Sequence, residues 1–394
     1  MLRSPVLFIA AKELASEKRK LAILVLAISA GVMTYIVFDA MFAGWGDDIL
    51  SKTIDIWTSH MKVLPSEDKL YVERISSKVS AIEALPKVEN AAARIIFASF
   101  VKSKSKQRTA LFLGIQPDRE KEVTTIHEKM IFGEFLTDKD KNKVILGSKL
   151  ARDLKIDMGE RLTVIFPNGE VRELKVKGIF NSGYYEFDYS FVLIPYDTVT
   201  EVFGVENVAS EIIIRFENED DVEDALIFVQ GIAPTDNVKS WKVLAAYVLA
   251  MLKAEGMGSN FTIIIIVLTA AFAMGNGMIM KISDRTGYIG IMKAIGGRGS
   301  FILKVYLLES ILIGMTGAFL GEFLGFLVVR YLKVHPFVFE AAEEIYGTTV
   351  FPVAYNPPAF LFGLAFAVGI CVIAGLYPSI KASRLNPVEA MRHV

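Results

Sequence analysis

Cysteine, histidine and net charge are all scarce in this chain, and each scarcity removes a class of chemistry. A single cysteine, Cys371, can build neither a disulfide framework nor a cysteine metal site. The histidines, His60, His127, His335 and His393, stand apart in sequence, with no H-E-x-x-H and no close ligand spacing, so no metal site is expected. No G-x-x-x-x-G-K-[ST] phosphate cradle occurs, so the chain should not hydrolyse ATP by itself. The glycine-bearing "GNGMIM" and "GGRGS" lie in or beside an apolar run and do not replace one. No G-x-S-x-G elbow supports a hydrolase. A formal net charge of -1 leaves no basic surplus for a nucleic-acid partner.

Apolar residues are in excess. They make up 53% of the 394 residues, with a mean hydropathy of +0.42, too apolar for an ordinary soluble protein. They gather in four runs, Leu21 to Phe38, Met257 to Met280, Phe301 to Val329 and Pro357 to Ile380. Each approaches the roughly 20 residues needed to cross a bilayer core of about 30 Å. The third run is impure, since Lys304, Glu309 and Glu322 fall within it. Lys304 can snorkel from the end; the glutamates are expected to pair within the protein or lie near an interface, with a proton relay as the alternative. The first run is too long for a signal-peptide core and lacks a clean cleavage site, so it reads as a signal anchor.

Basic residues then orient the spans. Lys12, Lys18, Arg19 and Lys20 precede the first run, Lys281, Arg285, Lys293 and Arg298 lie between the second and third, and Lys381, Arg384 and Arg392 follow the fourth. The positive-inside rule puts all three segments, and both termini, in the cytoplasm. The loop from Lys333 to Asn356, with Glu340, Glu343 and Glu344, belongs outside.

The expected organisation is a cytoplasmic amphipathic segment at 1–20, a first membrane helix at 21–43 and an extracytoplasmic α+β domain at 44–240. A stalk and second membrane helix follow at 241–282, then a cytoplasmic segment at 283–300, a third helix at 301–331, an outer loop at 332–356, a fourth helix at 357–379 and a cytoplasmic tail at 380–394. In the outer domain, "RLTVIFPNGEVRELKVKGIF" reads as a hairpin, with Thr163 to Phe166 and Val171 to Val176 as strands around a Pro167-Asn168-Gly169 turn. "ARIIFASFVKSKSKQRTALFLGI" reads as a second strand pair, and segments 68–84 and 219–230 as helices. The aromatic run "GYYEFDYSFVLIPY" has two readings: alternating aromatics packing a half-buried sheet, or a lipid- or partner-binding surface on Tyr184, Tyr185, Phe187 and Tyr189. Trp241, Leu244, Val248 and Met251 form a helical stripe; a helix unbroken from Trp241 to Met280 would be roughly 60 Å long, about twice the hydrocarbon thickness. A break at Gly256 or Gly258 is the competing expectation.

Two further patterns concern contacts. In the third run Gly314, Gly317, Gly321 and Gly325 allow close helix packing, in a dimer or within one subunit. In the segment 284–302 Tyr288, Ile291, Met292 and Ile295 recur at helical spacing, with Gly296 and Gly297 at a C-cap. This short amphipathic helix looks like a contact surface.

The last segment also carries a resemblance. "DRTGYIGIMKAIGGRGSFILKVYLLESILIGMTGAFLGEFLG", with the tail "GLYPSIKASRLNPVEAMRHV", resembles the signature of the FtsX-like ABC transporter permeases. "VILGSKLARDLKIDMGERLTVI" and "GIFNSGYYEFDYSFVLIPYDTVTEVFG" look like the lipoprotein-releasing branch. Gly287 and Tyr288 depart from the acidic or polar pair more usual there. The resemblance implies a four-helix permease with a MacB-like periplasmic core, in the inner or cytoplasmic membrane, with no catalytic residue and no cofactor. It implies a coupling helix at Asp284 to Ala294 docking on a separate ABC ATP-binding subunit, with Arg285 and Lys293 as electrostatic contacts and Ile291 and Ile295 as apolar anchors. It further implies a permease homodimer or heterodimer in the lipid bilayer, working by mechanotransmission on a lipoprotein or with an adaptor protein. The alternatives within the family are activation of a cell-wall hydrolase and export of a macrolide, peptide or lipid.

Overall fold

The computed structural model describes residues 5–16, 18–104, 106–339 and 350–392. Glu340, Glu343 and Glu344 of the expected outer loop, and His393, lie outside the described residues. The chain divides into two compact units, one of residues 1–46, 253–337 and 352–394 and the other of residues 47–252 and 338–351.

The first unit is helical. Among the described residues, four helices are long and apolar enough to cross a membrane, as expected from the four runs. α1 (Pro5–Ser16) precedes α2 (Lys18–Lys52), which carries the first run. The glycines of the third run are buried on α12 (Gly299–Val334), and what they face is explicit. A Cβ on Gly317 would stand 2.8 Å from Ile28, one on Gly321 2.6 Å from the Ser29 carbonyl oxygen, and one on Gly325 2.9 Å from Ile36, all on α2. A Cβ on Gly314 would stand 2.8 Å from Cys371, on α13 (Pro357–Ser383). The stripe is therefore filled within one subunit. Glu309 is fully buried and receives the Lys281 ammonium at 2.8 Å, while Glu322 is half-buried and Lys304 is exposed.

The second unit is α+β. Its helices are α3 (Ile75–Glu83), α4 (Pro117–Val123), α5 (Ser148–Leu154), α6 (Tyr185–Ser190), α7 (Tyr196–Phe203), α8 (Val222–Ile232) and α9 (Trp241–Leu244). Its strands are β1 (Met61–Leu64), β2 (Val72–Glu73), β3 (Val88–Lys102), β4 (Gln107–Ile115), β5 (Met130–Gly133), β6 (Lys143–Gly147), β7 (Arg161–Ile165), β8 (Val171–Phe180), β9 (Phe191–Pro195), β10 (Val208–Ala209), β11 (Glu211–Phe216) and β12 (Asn237–Ser240). The main sheet runs β12-β1-β11-β3-β4-β9-β6-β8-β5, with β7 bridging β3 and β8. Among the described strands, only β4 with β9 and β6 with β8 pair in parallel. The central β11 buries Ile212, Ile213 and Ile214 completely, as a strand covered on both faces must.

The hairpin β7–β8 forms as its turn residues demand. Gly169 takes φ +86°, which only glycine adopts without strain, and its N–H donates to the Phe166 carbonyl at 2.9 Å. The β3–β4 pair spans Arg94 to Ile115, the second pair read from the sequence.

Other segments differ from expectation. Only the second half of 68–84 is helical, because Val72–Glu73 pairs with β10 and Arg74, at φ 56°, turns the chain before α3. The aromatic run is not an alternating strand throughout, since Tyr185–Ser190 is the helix α6. The stalk stripe is split: α9 ends at Leu244, and after Ala245 α10 (Ala246–Asp284) continues without interruption through Gly256 and Gly258.

One feature of this unit had no signal in the sequence. Arg94, Glu120, Glu211 and Lys62 are all buried and mutually paired. Lys62 Nζ lies 2.8 Å from Glu211, Arg94 Nη1 lies 3.2 Å from Glu211, and Arg94 Nε donates to Glu120 at 3.1 Å. Arg94 Nη1 also donates to the Trp57 carbonyl at 2.9 Å, in the π-helical turn (Thr53–Thr58) that continues α2. Two cations and two anions cancel, which is the condition for burying four charges.

Candidate coupling site

α11 (Thr286–Ala294) lies between the second and third apolar helices. Arg285, at φ -106° and ψ 11°, separates it from α10, although its N–H still bonds the Lys281 carbonyl at 3.1 Å. Its other end is closed by glycine. Gly296 takes φ +100°, its N–H donates to the Lys293 carbonyl at 3.1 Å, and the Gly297 N–H donates to the Met292 carbonyl at 2.9 Å. These bonds satisfy carbonyls that the helix end leaves open.

The helix has two faces. Ile289, Gly290 and Met292 are buried. Tyr288, Ile291 and Ile295 point outward, at 45%, 51% and 82% exposure. Three large apolar side chains left exposed at helical spacing, two on this helix and one at its C-cap, are unusual for a surface that meets only water. Met292 therefore belongs to the inner face, and Ile289, outside the sequence-derived stripe, is its fully buried partner.

Both basic candidates have intramolecular acceptors. Lys293 Nζ donates to the carbonyls of Ser383 and Leu385, at 2.7 Å each, and so closes the C-terminus of α13. Arg285 donates to the Ser16 hydroxyl at 2.9 Å, tying α11's start to α1. Lys20 pairs with Asp284 beside it. α14 (Pro387–Arg392) packs against α11 and leaves Val388 exposed. The charges thus hold the outward apolar face in place, a role that spacing alone could not show.

The aromatic candidates part company. Phe187 is buried, stacked on Phe191 at 4.0 Å and edge-on to Trp57 at 5.2 Å. Tyr185 and Tyr189 stack on each other at 5.8 Å, and Tyr184 is half-buried. Asp188, between them, is fully buried and accepts from the Ser182 N–H at 2.7 Å and the Ser182 hydroxyl at 2.8 Å. Burial pushes its carboxyl up to about 6. Among the described residues no group of three or more histidine, cysteine, aspartate or glutamate side chains could hold a metal ion.

Four apolar helices and an α+β domain preceding the last three of them define a multi-pass membrane protein of permease type. Residues 21–226 match the MacB-like periplasmic core domain and residues 260–387 the FtsX-like permease C-terminal region. The chain belongs to this family of FtsX-like, MacB-type ABC transporter permeases. It is 23% identical over 390 residues to the lipoprotein-releasing system transmembrane protein LolC of Xylella fastidiosa (strain Temecula1), covering 94% of this chain and 92% of the relative. It is 24% identical over 409 residues to the uncharacterized ABC transporter permease YknZ of Bacillus subtilis, covering 96% of each. Among solved structures, the extracellular domain of the noncanonic ABC-type transporter YknZ from Gram-positive bacteria is 16% identical, with a TM-score of 0.36 over 46% of this chain and 97% of that one.

Proposed function

We propose that this chain is the membrane subunit of an ABC complex, docking a separate ATP-binding subunit through α11 and using the ATP hydrolysed there to move its outer domain. The observation that carries this reading is the outward face of Tyr288, Ile291 and Ile295, held open between two membrane helices in a chain without a phosphate cradle. The docked subunit supplies the catalysis; this chain supplies none. Two permease chains, identical or related, assemble with two ATPases in the cytoplasmic membrane, with both termini inside. The substrate is a lipoprotein or another envelope-associated molecule, a reading supported by the full-length likeness to LolC. Tyr185 and Tyr189, stacked on each other, are our candidates to meet it, whereas Phe187 is buried in the core.

Affinity purification from native membranes, with mass spectrometry of everything retained, tests the assembly. A stoichiometric ATPase should co-purify with the wild type. It should be lost from the Ile291→Asp, Ile295→Asp double variant, which should still insert, because two carboxylates cannot be buried against an apolar partner without a large desolvation cost. Undiminished co-purification would remove α11 as the docking surface.

A further inference from the structure

α1 brings a third ionisable group to the Lys281–Glu309 pair. Glu13 is only 7% exposed, and no donor reaches either of its carboxylate oxygens. α1 packs against α12, and Glu13 is the neighbouring carboxyl that acts on Glu309. Glu309 Oε2 takes Lys281 Nζ at 2.8 Å, and Glu309 Oε1 has no donor. Lys281 sits in the last turn of α10 and is itself 5% exposed. Two carboxylates thus face one ammonium in a buried place, and three oxygens have nothing to accept.

Among the described residues, no further donor reaches Glu13 or the free oxygen of Glu309. On α11, Lys293 is committed to two carbonyls and Arg285 to Ser16. On α2, Lys20 is held by Asp284, and Lys18 and Arg19 are exposed. Lys12 of α1 is exposed, and Lys381, the sole charged residue of α13, is exposed as well. From α12 the neighbours of Glu309 are neutral: Tyr306 and Ser310, whose hydroxyl donates back to the Tyr306 carbonyl at 3.0 Å. Two ionised carboxylates sharing one buried site repel, and the alternative of lower free energy is that one keeps its proton.

We propose that Glu13 and Glu309 share one bound proton, making Glu13, Lys281 and Glu309 a proton-binding clasp that fastens α1 to the second and third membrane helices. The proton comes from water. The protonated carboxyl donates to the ionised one, Lys281 neutralises the remaining charge, and the buried set has no net charge. Loss of the proton leaves two carboxylates in contact and drives Glu13, on the shorter helix, out into water. α1 docking is thereby a response to cytoplasmic pH. This inference does not depend on the ATPase reading.

Infrared spectra of the full chain in lipid nanodiscs test it. At neutral pH the wild type should show one more protonated-carboxyl stretch than Glu13→Gln, and one more than Glu309→Gln. Raising the pH should remove that signal and speed trypsin cleavage after Lys12 severalfold relative to Glu13→Gln, where a neutral amide keeps the clasp closed. Lys281→Met, which leaves both carboxyls and removes the cation, should gain a second protonated carboxyl, and it decides the matter if either glutamine variant misfolds. Superimposable wild-type and Glu13→Gln spectra, or an unchanged carboxyl signal in Lys281→Met, overturn the proposal. So does a signal that appears only when sodium is withdrawn, which would make the site one for a metal cation.

Discussion

At the scale of single residues, His60 and Asp188 make the outer unit's stability depend on pH in opposite senses. Burial lowers the His60 imidazole to about 4, with Arg215 adding to the effect. Its Nδ1 accepts from the Phe216 N–H at 3.0 Å, so the neutral ring carries its proton on Nε2. The unfolded chain takes up this proton first, near the usual value of about 6.5; stability present above that value is lost as pH falls toward about 4. Asp188 runs the other way. Its folded value of about 6 exceeds the usual 3.8, so its stability is present below 3.8 and lost as pH rises through about 6. Each shift corresponds to about 3 kcal/mol at most. We therefore expect Asp188→Asn to be more stable than the wild type at neutral pH by up to about 3 kcal/mol, and the gain to vanish toward pH 4. Denaturant titrations of the full chain followed by tryptophan fluorescence would show it; a difference independent of pH would contradict the assignment. Neither effect was legible in the sequence, where His60 is one isolated histidine and Asp188 one acid among aromatics. Burial decides both, and burial comes from strands and helices distant in the chain.

At the scale of elements, the glycine stripe of α12 shows how far a local pattern reaches. A spacing of four states that a backbone approaches closely. It does not state whether that backbone belongs to the same chain, and α2 and α13 answer the question. A valine at Gly321 would drive its Cβ into the Ser29 carbonyl at 2.6 Å and against Val32 at 2.7 Å. Gly321→Val should cost about 1–3 kcal/mol or more, read as a lower melting temperature in detergent. Gly369, on α13, has nothing within 4 Å of its would-be Cβ, so Gly369→Ala should melt no lower than the wild type. Equal losses in the two would mean that the stripe is not where α2 packs. The aromatic run shows the opposite limit. Its composition suits a strand, yet six residues close into α6, because Phe187 and Phe191 can then reach Trp57 together.

At the scale of the whole molecule, α2 and α10 both pass from one unit into the other, and α10 is the longer at 39 residues, or roughly 58 Å at 1.5 Å per residue. Under the proposed mechanism it carries motion between the ATPase and the outer domain. Leu252, half-buried and beyond its first turn, is the place to break it. Leu252→Pro should cost about 3 kcal/mol in the helix and leave ATP turnover by the assembled complex within about twofold, while abolishing substrate release. Substrate release at the wild-type rate would rule out a lever in α10.

What the sequence by itself determined was what depends on neighbours along the chain. Hydropathy marked four spans, because crossing a bilayer is a matter of length and apolarity. Period two and a Pro-Asn-Gly turn marked the β7–β8 hairpin, and glycine at 296 and 297 marked the end of α11. Only the tertiary structure decided which charges meet. Lys20 and Asp284 are 264 positions apart, and Lys62 and Glu211 are 149 apart. No periodicity links such residues, since their pairing follows from which helices and strands share a core. A buried charge needs a partner from wherever the fold supplies one. That is why Lys281 and Lys293 read in the sequence as members of a positive-inside cluster, and in the structure as the partner of a buried glutamate and the cap of a helix.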